Sequence, residues 1–144
     1  MDRILVGLDA SPRSNGVLDA AVQLAQRTGG KLILFRAVGI PMEIPAEAYS
    51  MSPANLAELL ENEAKLYLDA LAAKLPAGIV AATGVGIGTP WQGICEAAKK
   101  HDADLIMIGS HGYGGLDRLI GTTAAKVVNH AEQSVLVVRR PERL

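Results

Sequence analysis

The 144-residue chain is 49% hydrophobic and 20% charged, which suits a single domain over 1–144 burying roughly 68–70% of its unfolded surface in one aliphatic core. A formal net charge of −1 and only 3% aromatic residues leave no basic footprint and no base-stacking platform, so nucleic acid is not an expected partner. The single cysteine, Cys95, rules out an intrachain disulfide and a multi-cysteine metal site; no apolar run nears the ~20 residues of a membrane span, and MDRILVGLDAS has no cleavage-like site, so a cytoplasmic protein is expected.

Residues 3–8, RILVGL, form a short apolar run that ends at Asp9. Ser11-Pro12 then reads as an N-cap with proline at the first helical position. Val17, Leu18, Ala21, Val22 and Ala25 recur at helical spacing until Gly29-Gly30. KLILFRAV at 31–38 is strand-like again, so the first forty residues read as a parallel strand–helix–strand crossover. Residues 39–53, with three prolines and no clean period, are expected to be a loop, long enough to suggest a functional or mobile role. Ser52-Pro53 opens a long helix whose apolar face is read as Leu56, Leu59, Leu60, Tyr67, Leu71 and Leu75, closed by Pro76 and Gly78. IVAATGVGI at 79–87 predicts a third strand and 91–101 a third helix with Ile94, Ala97 and Ala98 inward. DLIMIG at 104–109 is the fourth strand, 121–131 a fourth helix and SVLVV at 134–138 the fifth strand.

Strands and helices alternate throughout, and the strands are apolar on both faces. That pattern predicts an open α/β fold, a parallel sheet with helices on both faces. Ligands of such sheets sit at the carboxyl ends of strands where the winding direction reverses. Two segments meet that description: 7–10 after the first strand and the glycine-rich stretch after the fourth.

GSHGYGGLDRLIG places five glycines in 109–121 and runs into a helix pattern at Thr122. A helix N-terminus carries unpaired N–H groups and partial positive charge, and glycines ahead of it let the backbone come close to an anion. Amides near Gly109, Gly112 and Gly121, with the Thr122 and Thr123 hydroxyls, suit a phosphate chain. A flexible connection with Thr122 as an ordinary N-cap is the alternative reading. No Gly-x4-Gly-Lys-Ser/Thr string occurs, and the first strand lacks the Gly-x-Gly-x-x-Gly spacing. Gly84-x-Gly86-x-Gly88 reads as strand geometry.

VGLDAS, DLIMIGSHGYGGLDRLIGTTAAKVV and SVLVVR together closely resemble the universal stress protein family over essentially the whole chain. The most specific element is Gly-x2-Gly, about nine residues, then Gly-Ser/Thr, which marks the ATP-binding branch. Here Gly109-Ser110-His111-Gly112 and Gly121-Thr122 are separated by eight residues, 113–120, one fewer than that pattern. The resemblance implies a Rossmann-like, nucleotide-binding α-hydrolase-type sheet in strand order 3-2-1-4-5. It implies an adenine nucleotide, ATP, with any Mg²⁺ carried by the phosphates, and a homodimer through the last strand, 134–138. Carried over by position, Gly7, Leu8 and Asp9 would line the adenosine end, with Asp9 accepting from a ribose hydroxyl. Ala37 or Val38 would meet adenine, and Ile108, Gly109, Gly112, Gly121, Thr122, Thr123 and Ala124 would hold ribose and phosphates. For Asp9, the competing role is a carboxylate solvated at a strand end or helping to cap the Ser11 helix.

No nucleophile and base pair can be assembled from the sequence. His111 neighbours Ser110 but lacks an orienting third group, and His101 and His130 fall near helix ends, where they complement the dipole. Arg118 and Lys126 are candidate phosphate neighbours, with a solvated Asp117–Arg118 surface as the plainer account. Tyr67 is read as core and Trp91 as packed on the sheet. The expected function is thus a nucleotide-dependent stress-tolerance or regulatory module rather than a fast enzyme. A nucleotide-free dimeric interaction module is the alternative, and a slow ATPase stands behind both.

Overall fold

A computed structural model describes residues 2–9, 11–39, 53–110 and 121–139. The loop expected at 39–53 lies almost wholly outside the described residues, as do His111, Gly112, Asp117, Arg118 and the rest of the 113–120 spacer.

The described elements run β1 (Arg3–Leu8), α1 (Arg13–Thr28), β2 (Lys31–Val38), α2 (Pro53–Ala73), β3 (Val80–Ile87), α3 (Pro90–Lys100), β4 (Leu105–Gly109), α4 (Thr122–His130) and β5 (Ser134–Val138). The strands form one five-stranded sheet in the order β3-β2-β1-β4-β5, and every pairing is parallel. The order expected from the family resemblance is the one observed.

Alternation along each strand builds two cores. Ile4, Val6 and Leu8 of β1, with Leu32 and Leu34 of β2, pack beneath Val17, Leu18, Ala21 and Ala25 of α1 and Leu68 of α2. Leu5, Ile33, Ile106 and Ile108 point to the opposite face, under Ile94, Ala97 and Ala98 of α3 and Ala124 and Val127 of α4. Fully burying each valine, leucine or isoleucine among them stabilises the fold by about 1.5–3 kcal/mol. This two-sided burial is why the strands read as unbroken apolar runs.

Two details differ from the sequence expectation. Ser11 does not cap α1 with its side chain: Pro12 occupies the N-cap in the αR region without a side-chain cap, and the Ser11 hydroxyl turns to Asp9 instead. On α2 the buried positions are Ala64 and Leu68, joined by half-buried Tyr67, Leu71 and Ala72, while Leu59 is 40% exposed. The face is rotated toward Leu68, which the expected stripe left out. At the far end of α1, Gly29 adopts φ 74° and its N–H bonds to the Ala25 carbonyl, the left-handed stop that Gly29-Gly30 predicted.

The Gly84 and Gly86 positions are explained by the sheet's single phenylalanine. A Cβ at Gly86 would lie 2.8 Å from Phe35 Cζ, one at Gly84 3.4 Å from Phe35 Cδ2, and one at Gly93 3.5 Å from Cζ. Glycines on β3 and α3 therefore make the slot that the ring fills.

Candidate functional site

Helices α1 and α2 pack on one face of the sheet and α3 and α4 on the other. Winding therefore reverses between β1 and β4, which are neighbours at the centre of the sheet. The crevice beyond their carboxyl ends is where an open α/β sheet takes its ligands. β2 borders it: β1 pairs with β2 only up to Leu8↔Arg36, while pairing with β3 continues to Val38↔Ile87. Ala37 and Val38 thus extend past β1 on the crevice side. The Val38 carbonyl accepts the Gly88 N–H at 2.9 Å, so part of its capacity is already used within the sheet.

Asp9, at the exit of β1, is held from several directions. Its carboxylate Oδ1 accepts the Ser11 N–H at 2.8 Å, the Ser11 hydroxyl at 2.5 Å and the Ser14 hydroxyl at 2.9 Å. The Asp9 N–H donates to Ser14 Oγ at 2.9 Å, while that hydroxyl is also 2.8 Å from the Asp9 carbonyl. A single hydroxyl proton serves the carbonyl and Oδ1 in turn. Its carboxylate fastens the turn that leads into α1, while α1 itself has no side-chain cap. The three bonds to the carboxylate all use Oδ1, and none among the described residues uses Oδ2.

At β4 the chain leaves the sheet through Ile108, Gly109 and Ser110. The Ser110 N–H donates to the Val138 carbonyl at 3.0 Å, and the Ser110 carbonyl accepts the Gly121 N–H at 2.7 Å. Residues 110 and 121 are thereby tied together at the mouth of the glycine-rich segment, placing the start of α4 directly beside the end of β4. This bond consumes the Gly121 amide that the sequence offered to a phosphate. The donors that remain are those of Thr122, Thr123 and Ala124: the first intrahelical bond runs from Ala125 N–H to the Gly121 carbonyl, and α4 has neither a side-chain cap nor an acidic residue in its first turn. Such amides lack an intrahelical partner and give the helix end its partial positive charge. Beside them, the Ser110 hydroxyl is fully buried with no hydrogen-bond partner among the described residues, an arrangement that costs about 1–3 kcal/mol until a partner is supplied.

Several expected site residues are placed by packing. Leu8, Ile108 and Ala124 are buried in the two cores, so only their backbones can face a ligand. A Cβ on Gly7 would come within 2.9 Å of Ile108 Cγ2, and one on Gly109 within 3.3 Å of Val17 Cγ2. Both glycines let neighbouring layers close on the strand ends. Gly112 lies outside the described residues.

Sequence reasoning missed Ser14, Arg36 and the polar end of Tyr67. Tyr67 is half core, as expected, but its hydroxyl donates to the Asp9 carbonyl at 3.1 Å, and the Arg36 guanidinium sits 4.9 Å from its ring centroid. Burial raises the phenol's pKa, the Arg36 charge opposes that rise, Asp9 adds to it, and a Ser14 hydrogen bond lowers it. The phenol is protonated at neutral pH and free to donate. A tyrosine on a helical apolar stripe gives no sequence cue to such a contact.

The Universal stress protein family profile matches residues 1–139. The chain belongs to the universal stress protein family. It is 31% identical over 138 residues to universal stress protein A homolog 1 of Coxiella burnetii, covering 94% of each chain. Among solved structures it resembles the universal stress protein UspA from Lactobacillus plantarum, with a TM-score of 0.73, 30% identity and coverage of 96% and 97%. It also resembles a universal stress protein solved in complex with cAMP, with a TM-score of 0.60, 28% identity and 96% of each chain covered.

Elsewhere on this universal stress protein, the histidines divide. His101 ends α3, but burial comes first, then Lys100 and Arg3, in holding its pKa below the usual value. His130, in the last turn of α4, has Nδ1 2.8 Å from the Lys126 carbonyl and stacks at 4.4 Å on Trp91, with Lys126 Nζ 5.6 Å from the same ring. Trp91 itself rests on the α3–α4 core. Burial, then Glu96, raises the Cys95 thiol pKa. No group of three or more His, Cys, Asp or Glu among the described residues forms a metal cage, and no described helix is long and apolar enough to cross a membrane.

Proposed function

We propose that this universal stress protein binds an adenine nucleotide, with ATP as the expected ligand, in the crevice between the exits of β1 and β4. The buried Ser110 hydroxyl, without a partner among the described residues, beside the uncapped N-terminus of α4 carries the reading. A phosphate oxygen satisfies both features at once, as acceptor from the hydroxyl and as anion for the helix end. The adenosine end falls to Asp9, through the carboxylate oxygen that does not hold the turn, and to the backbone of Ala37 and Val38. Mg²⁺, where present, is carried by the phosphates. The cAMP complex of one relative supports an adenine ligand in this fold. Nucleotide occupancy then sets a surface that cytoplasmic partners read, without fast turnover. Equilibrium dialysis with ATP, and mass spectrometry of the purified protein for co-purifying adenine nucleotide, test it; failure to retain any adenine nucleotide removes it.

A second feature favours self-association. β5 closes one edge of the sheet, pairing among the described strands only with β4, and Leu136 at its middle is 39% exposed. An open apolar edge invites pairing with a second copy. Light scattering decides the point: a dimer that Leu136→Lys converts to monomer supports it, and a wild-type monomer refutes it.

A further inference from the structure

We infer that Tyr67 is a positioning residue for the adenosine end of the proposed site, holding the Asp9 carbonyl and so setting where the Asp9 carboxylate stands. The inference rests on the nucleotide reading above. Ser11 and Ser14, which hold Asp9 at Oδ1, at its amide and, through the Ser14 hydroxyl, at its carbonyl, belong to the same turn and the first turn of α1; they move with it. Tyr67 comes from α2, 58 residues away in sequence, and α2 packs on β2 and β3. Its hydroxyl therefore ties the turn after β1 to a separate layer of the molecule. The ring is itself fixed from below by Arg36 at 4.9 Å, and Arg36 is the β2 residue in register with Leu8, one residue before Asp9. Turn, strand neighbour and helix thus close on one backbone carbonyl. A ligand hydroxyl that bonds the Asp9 carboxylate finds it pre-placed, and that pre-placement is what Tyr67 contributes to affinity.

Three variants separate positioning from packing: Tyr67→Phe, Asp9→Ala, and the two combined. Tyr67→Phe keeps the ring and removes only the donor, so ATP affinity is expected to fall about five- to tenfold, the worth of one hydrogen bond. Asp9→Ala keeps the backbone carbonyl but removes the carboxylate, so Tyr67→Phe should then cost less than about twofold, a coupling that independent sites do not show. Unchanged ATP binding in Tyr67→Phe, or an equal loss with and without the Asp9 carboxylate, overturns the inference. NMR-detected amide exchange without nucleotide provides the second readout. Tyr67→Phe should speed exchange at Asp9 and Ser11 about tenfold, as local opening becomes easier, and leave β2 amides unchanged. If the wild type retains no ATP, the nucleotide reading fails by itself, and exchange alone judges Tyr67: unchanged rates at Asp9 and Ser11 overturn its hold on the turn.

Discussion

Thr122→Glu tests the phosphate end of the crevice without disturbing the core. Thr122 is exposed and is the first residue of α4, so a glutamate there meets no packing constraint. In the free protein it compensates the positive helix end, worth about 0.3–1 kcal/mol, or roughly 1–4 °C in Tm for a domain of this size. In the proposed complex it would face the phosphates. Two unit charges ~4 Å apart repel by about 1 kcal/mol in water and about 4 kcal/mol near a protein surface, and an exposed helix end falls between, at about 2 kcal/mol per phosphate charge, or ~30-fold in affinity. Isothermal titration with ATP and with adenosine is the assay. ATP affinity should fall by that factor while adenosine, which carries no charge, shifts by less than about twofold. The ATP penalty should shrink with added salt, since the Debye length is only about 10 Å at 0.1 M. A variant with raised Tm and undiminished ATP binding would refute the idea that α4 points its amides at phosphate.

Three further outcomes follow from the packing and ionisation. Gly86→Ala brings a Cβ to 2.8 Å from Phe35 Cζ and should cost about 1–3 kcal/mol in chemical denaturation, a loss that Phe35→Leu partly relieves. Leu68→Ala, at a site with no exposure, should cost about 2–5 kcal/mol, whereas Leu66→Ala, 70% exposed, should stay within about 0.5 kcal/mol; reversal would show that α2 is rotated differently. Because the folded state holds the His101 pKa below that of the unfolded chain, protonation favours unfolding. The His101 contribution is therefore complete above about pH 6.5 and is lost as pH falls below it. The denaturation midpoint of the wild type should fall relative to that of His101→Gln as pH is lowered from 7.5 to 5.

Element order was legible in the residues because burial on both sides leaves long apolar runs, and β1, β2 and β5 occupy the spans their runs predicted. The glycine-rich exit from β4 and Asp9 at the exit from β1 were visible for the same reason: strand ends are marked by where the apolar run stops. What failed was detail that depends on which partner a side chain finds. Leu68 outranks Leu59 on α2 because the sheet decides which stripe of a leucine-rich helix is covered. Ser11 reads as a cap because serine before proline usually is one, yet its hydroxyl is taken by Asp9 two residues earlier.

Local order, then, follows from sequence alone here: alternating apolar runs and helical spacings dictate a parallel sheet between helices, and the spacing of Gly109, Gly121 and Thr122 carries the family's mark. Tertiary structure decided which groups remain available to a ligand. The Gly121 amide is spent on Ser110, the Ser110 hydroxyl is buried without a partner among the described residues, and Tyr67 reaches Asp9 from another layer. Hydrogen-bond satisfaction is settled between neighbours in space, and the residues concerned are from 11 to 58 positions apart along the chain.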